Sequence, residues 1–202
     1  MDRPIVALSR TRPLILGSGS PRRLKLLSEA GASFEQRVSS IDETMRKNES
    51  PNAFAERMAC EKAAAVASES PRDAVILGCD TIVVLRNVVL GKPCDKEHAF
   101  ETLSRLSAQQ HVVCTAVALA FDGREISGFE QTRVFFNQVT PRQIREYIES
   151  GEPMDKAGAY GIQGMGAFLV DRIEGNLDNV IGLPGKLLDK LANDVLREIQ
   201  KS

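Results

Sequence analysis

Apolar positions fall in short runs broken by polar turns, and their period changes several times along the chain. Leu14 to Leu16 reads as the end of a buried strand running into Gly17-Ser18-Gly19-Ser20. Ser20-Pro21 supplies an N-cap and a first helical position, Leu24, Leu27 and Ala30 recur at helical spacing, and Gly31 stops the helix. Ser33 to Val38 reads as a short strand and the polar, acidic stretch Ser39 to Ser50 as a loop. A second helix opens at Pro51, with Phe54, Met58, Ala65 and Val66 as its inner stripe.

AVILGCDTIVVL, from Ala74 to Leu85, is rich in β-branched residues and predicts a central strand that turns through Arg86-Asn87 into Val88 to Leu90. Asp95 caps a helix to about Leu106, and His111 to Phe121 is another strand. Asp122-Gly123 is a hairpin signal, followed by one or two strands between Arg124 and Val139. Thr140-Pro141-Arg142-Gln143 matches a capping box whose helix ends near Gly151. A glycine-rich segment, Gly158 to Gly166, leads to a strand at Phe168 to Ile173, and a last helix spans about Leu183 to Gln200 with Leu187, Leu188, Leu191 and Val195 on one side. Residues 1–12 read as an N-terminal extension outside the core, with a single domain over 13–202. Hairpins among the helices predict a mixed α/β sheet rather than a strict parallel βαβ array.

Composition narrows the function. The chain has 202 residues, 43% of them hydrophobic, enough for a sizeable core around which two lobes can form. A net charge of -1 lacks the basic excess of a long nucleic-acid or membrane surface, so any anionic ligand is small and met by a local cluster. Cys60, Cys79, Cys94 and Cys114 show no zinc-ligand spacing, and no stretch reads as a signal peptide. Reduced thiols in a cytoplasmic protein follow. His98 and His111 stand isolated in the sequence, and Val112 to Phe121, the longest apolar run, is too short to span a bilayer.

Six stretches carry chemistry. In GSGSPRR, small residues allow close backbone approach to a phosphate at a helix start, Ser18 and Ser20 add hydroxyl donors, and Arg22 and Arg23 add forked ones. The alternative is an ordinary capped helix with a solvated basic first turn, but two arginines there oppose the helix dipole and need another purpose. Neither a dinucleotide fingerprint nor a P-loop fits the spacing. In GCDTIVVL, Asp80 interrupts an apolar strand, where a carboxylate must be paired, hydrogen-bonded or metal-bound; a bulge or strand end is the alternative. Asp42 and Glu43 on the acidic loop, Glu61 and Lys62 on the second helix and Lys92 in LGKPCD complete the cations and carboxylates of a metal–polyphosphate site. Finally, GEPMDKAGAYGIQGMG is too glycine-rich to be a casual linker; within it Asp155, Lys156, Tyr160 and Gln163 are candidate contacts, and the Gln163 amide has an edge that can read a nucleobase, the alternative being a tight loop whose polar side chains cap neighbouring strands.

Taken in order, LGSGSPRRLKLL, DE, EKA, GCDTIVVL, GKP, GEPMDKAGAYGIQG and NVIGLP resemble the Maf family of nucleoside triphosphate pyrophosphatases over nearly the full chain. The resemblance implies an elongated α/β fold similar to inosine triphosphate pyrophosphatases, a mixed sheet with two lobes around a cleft. It implies hydrolysis of a nucleoside triphosphate to monophosphate and pyrophosphate with a divalent cation, Mg²⁺ or Mn²⁺, and a homodimer. Ser18, Ser20, Arg22 and Arg23 then fall on the phosphate-binding motif, and Glu43, Lys62, Asp80 and Lys92 on the catalytic set, with Asp80 as proton acceptor. Arg22, Thr81 and Gln163 fall on positions tied to base selectivity, and Thr81, where a 7-methyl-GTP branch carries Gln, points to dTTP and UTP. Cys79 departs from the usual Ala or Ser, and EGNLDNV from a commoner aromatic-bearing version.

The expected mechanism is attack of metal-activated water at the α-phosphorus, with Asp80 accepting the proton or sharing the metal with Glu43, and Arg22, Arg23, Lys62 and Lys92 neutralising phosphate charge. The biological setting is house-cleaning of nucleotide pools, control of septum formation, or both. Two alternatives remain at this level: a non-catalytic nucleotide-binding regulator of division, and a pyrophosphatase for another base, such as 7-methyl-GTP, ITP, XTP or a modified pyrimidine. No nucleic-acid or membrane partner is expected.

Overall fold

The computed structural model describes residues 3–38 and 40–201. Its helices are α1 (Pro4–Thr11), α2 (Pro21–Glu29), α3 (Pro51–Ala67), α4 (Lys96–Leu106), α5 (Pro141–Glu149), α6 (Leu177–Ile181) and α7 (Gly185–Ile199). Its strands are β1 (Leu14–Gly17), β2 (Glu35–Gln36), β3 (Val75–Leu85), β4 (Val88–Leu90), β5 (Gln110–Phe121), β6 (Arg124–Phe136) and β7 (Val170–Glu174). They form a mixed seven-stranded sheet in the order β2-β1-β3-β5-β6-β7, with β4 paired to β3. β1 pairs parallel with both β2 and β3, whereas β4 on β3 and β7 on β6 are antiparallel.

Local chemistry explains the connections. Arg86 and Asn87 both have positive φ (49° and 68°), as do Asp122 and Gly123 (48° and 72°). These two-residue turns match the twist of the strands they join. Asp95 Oδ1 accepts from the His98 N–H at the start of α4, and Thr140 and Gln143 form a reciprocal capping box on α5.

The chain divides into two compact units, and β3, β5 and β6 each contribute residues to both. The first unit comprises 1–80, 115–130 and 182–202; the second comprises 81–114 and 131–181. In the first, Leu14 and Leu16 of β1, Val75 and Leu77 of β3, Val117 and Leu119 of β5 and Leu188, Leu191 and Val195 of α7 share one core. In the second, Val83, Leu103, Leu106, Val134, Ile144, Tyr147 and Tyr160 share another.

Several sequence expectations need correction. Residues 1–12 do not stay outside the core: α1 buries Ile5, Val6 and Leu8 against it, while Met1 and Asp2 lie outside the described residues. Pro4 in the first helical turn and the apolar spacing of Ile5 and Leu8 account for that short helix. Ser33 to Val38 keeps only the two residues of β2, because only Glu35 and Gln36 pair with β1; Ser39 of the following loop is not described. The inner stripe of α3 runs through Phe54, Met58, Lys62 and Val66, so Ala65 stands off it. Arg124 to Phe136 is one strand, and the chain from Glu152 to Leu169 winds through three short 3-10 helices before β7.

Candidate active site

In the first unit the parallel pairing of β1 with β3 stops at Gly17 opposite Gly78, where β1 ends, β3 runs on, and the chain leaves β1 into Ser18-Gly19-Ser20 and α2. Ligands gather beyond the carboxyl ends of parallel strands, where loop N–H groups and helix starts are free of the ladder. Here the loop folds on Ser18, which is 6% exposed: its Oγ accepts from the Ser20 N–H at 3.2 Å, and its carbonyl accepts from Gln36 Nε2 at 2.8 Å. Ser20 stands at the N-cap of α2 with extended backbone, yet its hydroxyl makes no capping bond.

The two arginines part company. Arg23 points inward, donating from Nε to the Gly182 carbonyl at 2.9 Å and from Nη1 to Ser18 Oγ at 3.1 Å and the Cys79 carbonyl at 2.9 Å. It therefore ties the serine loop to β3. Arg22, one position earlier on the helix, is partly exposed.

Asp80 lies within β3, two residues beyond Gly78, and is 8% exposed, as is Lys62. Lys62 Nζ lies 2.6 Å from Asp80 Oδ1 and 2.8 Å from Glu43 Oε1. A side chain four residues after Met58 and four before Val66 must face the sheet, and close approach of α3 brings it to Asp80. Gly78 permits that approach: a Cβ there would collide with the Ala59 carbonyl and lie 2.8 Å from Ala63 N. Cys79 alternates to the opposite face, where burial pushes its thiol up to about 11 and makes it a poor nucleophile.

Glu43 reaches Lys62 from an exposed loop that α3 also holds. Arg57 grips Glu49 with Nε and Nη2 at 2.7 and 2.8 Å, reaches the Thr44 carbonyl at 3.0 Å, and pairs with Glu61 at 3.2 Å. Arg46 closes the network on Glu61 at 2.9 Å. The Arg57 guanidinium draws the Glu49 carboxyl down to about 2.

Asp80 and Glu43 offer hard oxygen donors on either side of one ammonium. Among the described residues no group of three or more His, Cys, Asp or Glu is placed to hold a metal. Two carboxylates without a protein cage fit Mg²⁺, which keeps waters and takes phosphate oxygens as further ligands.

The second unit carries the other expected residues. Thr81 follows Asp80 on β3 and is half-buried. Lys92 is exposed between β4 and α4, and the neighbouring Gly91 carbonyl accepts from the Gly158 N–H at 3.0 Å. Gln163 is exposed in the glycine-rich segment. Tyr160, by contrast, is core: its hydroxyl lies 2.7 Å from His111 Nε2, and both rings pack edge-on against Phe136. Lys156 is taken up by Asp155 and the Glu152 carbonyl, at 2.6 and 2.5 Å. His98 is not isolated in space, since its Nδ1 meets exposed Cys94 Sγ at 3.3 Å. Reading the sequence missed Gly78, Arg57, Tyr147 and Glu152. Of these only Arg57 left a signal, an arginine four residues before Glu61 on one helix.

A carboxylate–lysine–carboxylate array near a glycine-serine loop, where the parallel pairing of β1 and β3 stops, has the residue types of a phosphate-handling site. Residues 13–195 match the family model described as Maf-like protein. The chain belongs to the Maf family. It is 47% identical over 171 residues to the dTTP/UTP pyrophosphatase of Shigella dysenteriae serotype 1 (strain Sd197), covering 85% of this chain and 87% of that protein. It is 45% identical over 183 residues to the dTTP/UTP pyrophosphatase of Desulfotalea psychrophila (strain LSv54 / DSM 12343), covering 89% and 93%. A solved structure, the nucleoside-triphosphatase / dITP/XTP pyrophosphatase of Mycobacterium abscessus, aligns over 93% of this chain and 98% of its own at 13% identity and a TM-score of 0.45. No helix among the described residues is long and apolar enough to cross a membrane.

Proposed function

We propose that this chain hydrolyses dTTP and UTP to the monophosphate and pyrophosphate, by attack of water at the α-phosphorus. One observation carries the chemistry: a nearly buried carboxylate, Asp80, held by Lys62 beside the Ser18–Ser20 loop. The base preference draws on the names of the relatives and on Thr81 after that carboxylate.

In this reading Asp80 takes the proton of the attacking water, and Lys62 fixes the direction of its carboxylate. Ser18 and Ser20 offer hydroxyls to phosphate oxygens. Arg22 and Lys92 neutralise phosphate charge, and Arg23, engaged by the loop it binds, contributes its field and holds the loop in shape. Arg22, Thr81 and Gln163 discriminate the base. Asp80 and Glu43 would hold a Mg²⁺ or Mn²⁺ ion, which when bound supplies charge neutralisation and lowers the pKa of a water. Residues 13–202 act as one pyrophosphatase domain in the cytoplasm, where the cysteines stay reduced. The reaction serves the upkeep of nucleotide pools, the control of septum formation, or both, with a homodimer as the working form and neither nucleic acid nor membrane as a partner.

The test is pyrophosphate release from dTTP, UTP, CTP, ITP and 7-methyl-GTP with Mg²⁺ or Mn²⁺. Fastest release from dTTP and UTP, abolished by a chelator, is the expected result. Turnover of ITP or 7-methyl-GTP ahead of both pyrimidines would overturn the base preference. Nucleotide binding without any pyrophosphate release would favour a regulator that does no chemistry.

A further inference from the structure

Gln163 is exposed, yet the backbone on both sides of it is pinned by two side chains from outside the loop. On one side the Gly161 N–H donates to Tyr147 Oη at 3.1 Å. On the other, the Met165 and Gly166 N–H groups donate to Glu152 Oε2 and Oε1 at 3.0 and 3.1 Å. The phenol joins the two sides by donating to Glu152 Oε1 at 2.9 Å. Tyr147 itself is 2% exposed, anchored in α5.

The loop has no slack. A Cβ at Gly166 would meet the Gly161 carbonyl and lie 2.6 Å from Tyr147 Oη. At Gly164, where φ is +72°, a Cβ would lie 2.9 Å from Glu152 Oε2. One carboxylate thus gathers three donors, two from the backbone and one from a buried phenol. An acceptor-only group can do this, whereas an amide of the same shape turns one of its two acceptors into a donor.

We propose that Glu152 and Tyr147 are positioning residues that set where Gln163 presents its amide, and thereby the base discrimination of the reaction proposed above, on which this inference rests. Rigid placement matters because a hydrogen-bonding group discriminates between bases only when it cannot follow the wrong one.

The experiment compares wild type, Gln163→Ala, Glu152→Gln and Tyr147→Phe in two assays. One gives kcat and KM for pyrophosphate release from dTTP, UTP and CTP; the other gives amide hydrogen exchange across residues 161–166. Glu152→Gln is expected to speed exchange at Met165 and Gly166, and Tyr147→Phe at Gly161. Both variants, like Gln163→Ala, lower the preference for dTTP and UTP over CTP by roughly tenfold through KM, with kcat changed by less than about threefold. Faster exchange with unchanged base preference would overturn the inference and leave a purely structural clamp, as would unchanged exchange or an indifferent Gln163→Ala. A wild-type chain that releases no pyrophosphate contradicts the proposed function and removes the discrimination this clamp is said to serve; faster exchange in the variants would then leave the clamp as structure alone.

Discussion

Lys62 Nζ lies 2.6 Å from Asp80 Oδ1, with each side chain no more than 12% exposed. Burying two charges costs solvation that their attraction repays only in part, so such a pair is weak support for a stability role. Its retention in an apolar strand and helix stripe points to chemistry. Removing one partner strands the other. Lys62→Met should therefore cost about 3 kcal/mol of stability, while Lys62→Met combined with Asp80→Leu should return near to wild type in a denaturant melt. Both variants should lack pyrophosphate release. Activity retained in Lys62→Met would separate the pair from the reaction.

The pair depends on how closely α3 lies on β3 at Gly78. Gly78→Ala should displace the helix and lower kcat/KM by about 100-fold, the order of loss that follows from misplacing a catalytic group by an ångström. A steady-state assay beside a thermal melt checks this. A folded Gly78→Ala protein with full activity would show that the close approach is not required.

Arg57 holds the loop that carries Glu43, by its bonds to Glu49 and the Thr44 carbonyl. Arg57→Ala should release that loop and raise the Mg²⁺ concentration for half-maximal activity by about tenfold, as loss of a group orienting a metal ligand does. The Glu49 carboxyl, lowered from 4.5 to about 2 by Arg57, contributes stability that is complete above pH 4.5 and lost as pH falls through about 2. Arg57→Ala should flatten that acid limb of the stability profile, measured by denaturant melts across pH.

A second pH response belongs to His111. Burial lowers it from 6.5 to about 4, and its Nδ1 has no hydrogen-bond partner among the described residues. The folded state then takes up a proton later than the unfolded chain does. Stability contributed by neutral His111 is present above pH 6.5 and is lost progressively as pH falls toward 4. The total is roughly 3 kcal/mol. His111→Phe should remove most of this slope in chemical denaturation between those pH values; an unchanged slope would place its origin elsewhere.

Much of the fold and part of the site could be read along the chain. Asp80 stood out because a carboxylate between Leu77 and Ile82 has no cheap explanation in a strand. Lys62 was identifiable as a type but not as a buried group, since one helical lysine resembles another until the Met58–Lys62–Val66 spacing is read as one stripe. Arg22 and Arg23 are indistinguishable in sequence; a turn of about 100° per residue sends the second under the helix to the Cys79 carbonyl. Glu152 was invisible because its partners are backbone N–H groups 13 and 14 residues away, and such bonds leave no side-chain pattern. Arg57 left only its spacing to Glu61 as a signal, since its bond to the Thr44 carbonyl is set by the loop path.

Turnover of dTTP in ¹⁸O-labelled water, with both products weighed by mass spectrometry, tests most directly whether the chain hydrolyses a pyrimidine nucleoside triphosphate at its α-phosphorus. One ¹⁸O in dTMP and none in pyrophosphate is the predicted result. Label in the pyrophosphate, release of orthophosphate instead, or no cleavage of dTTP would contradict it.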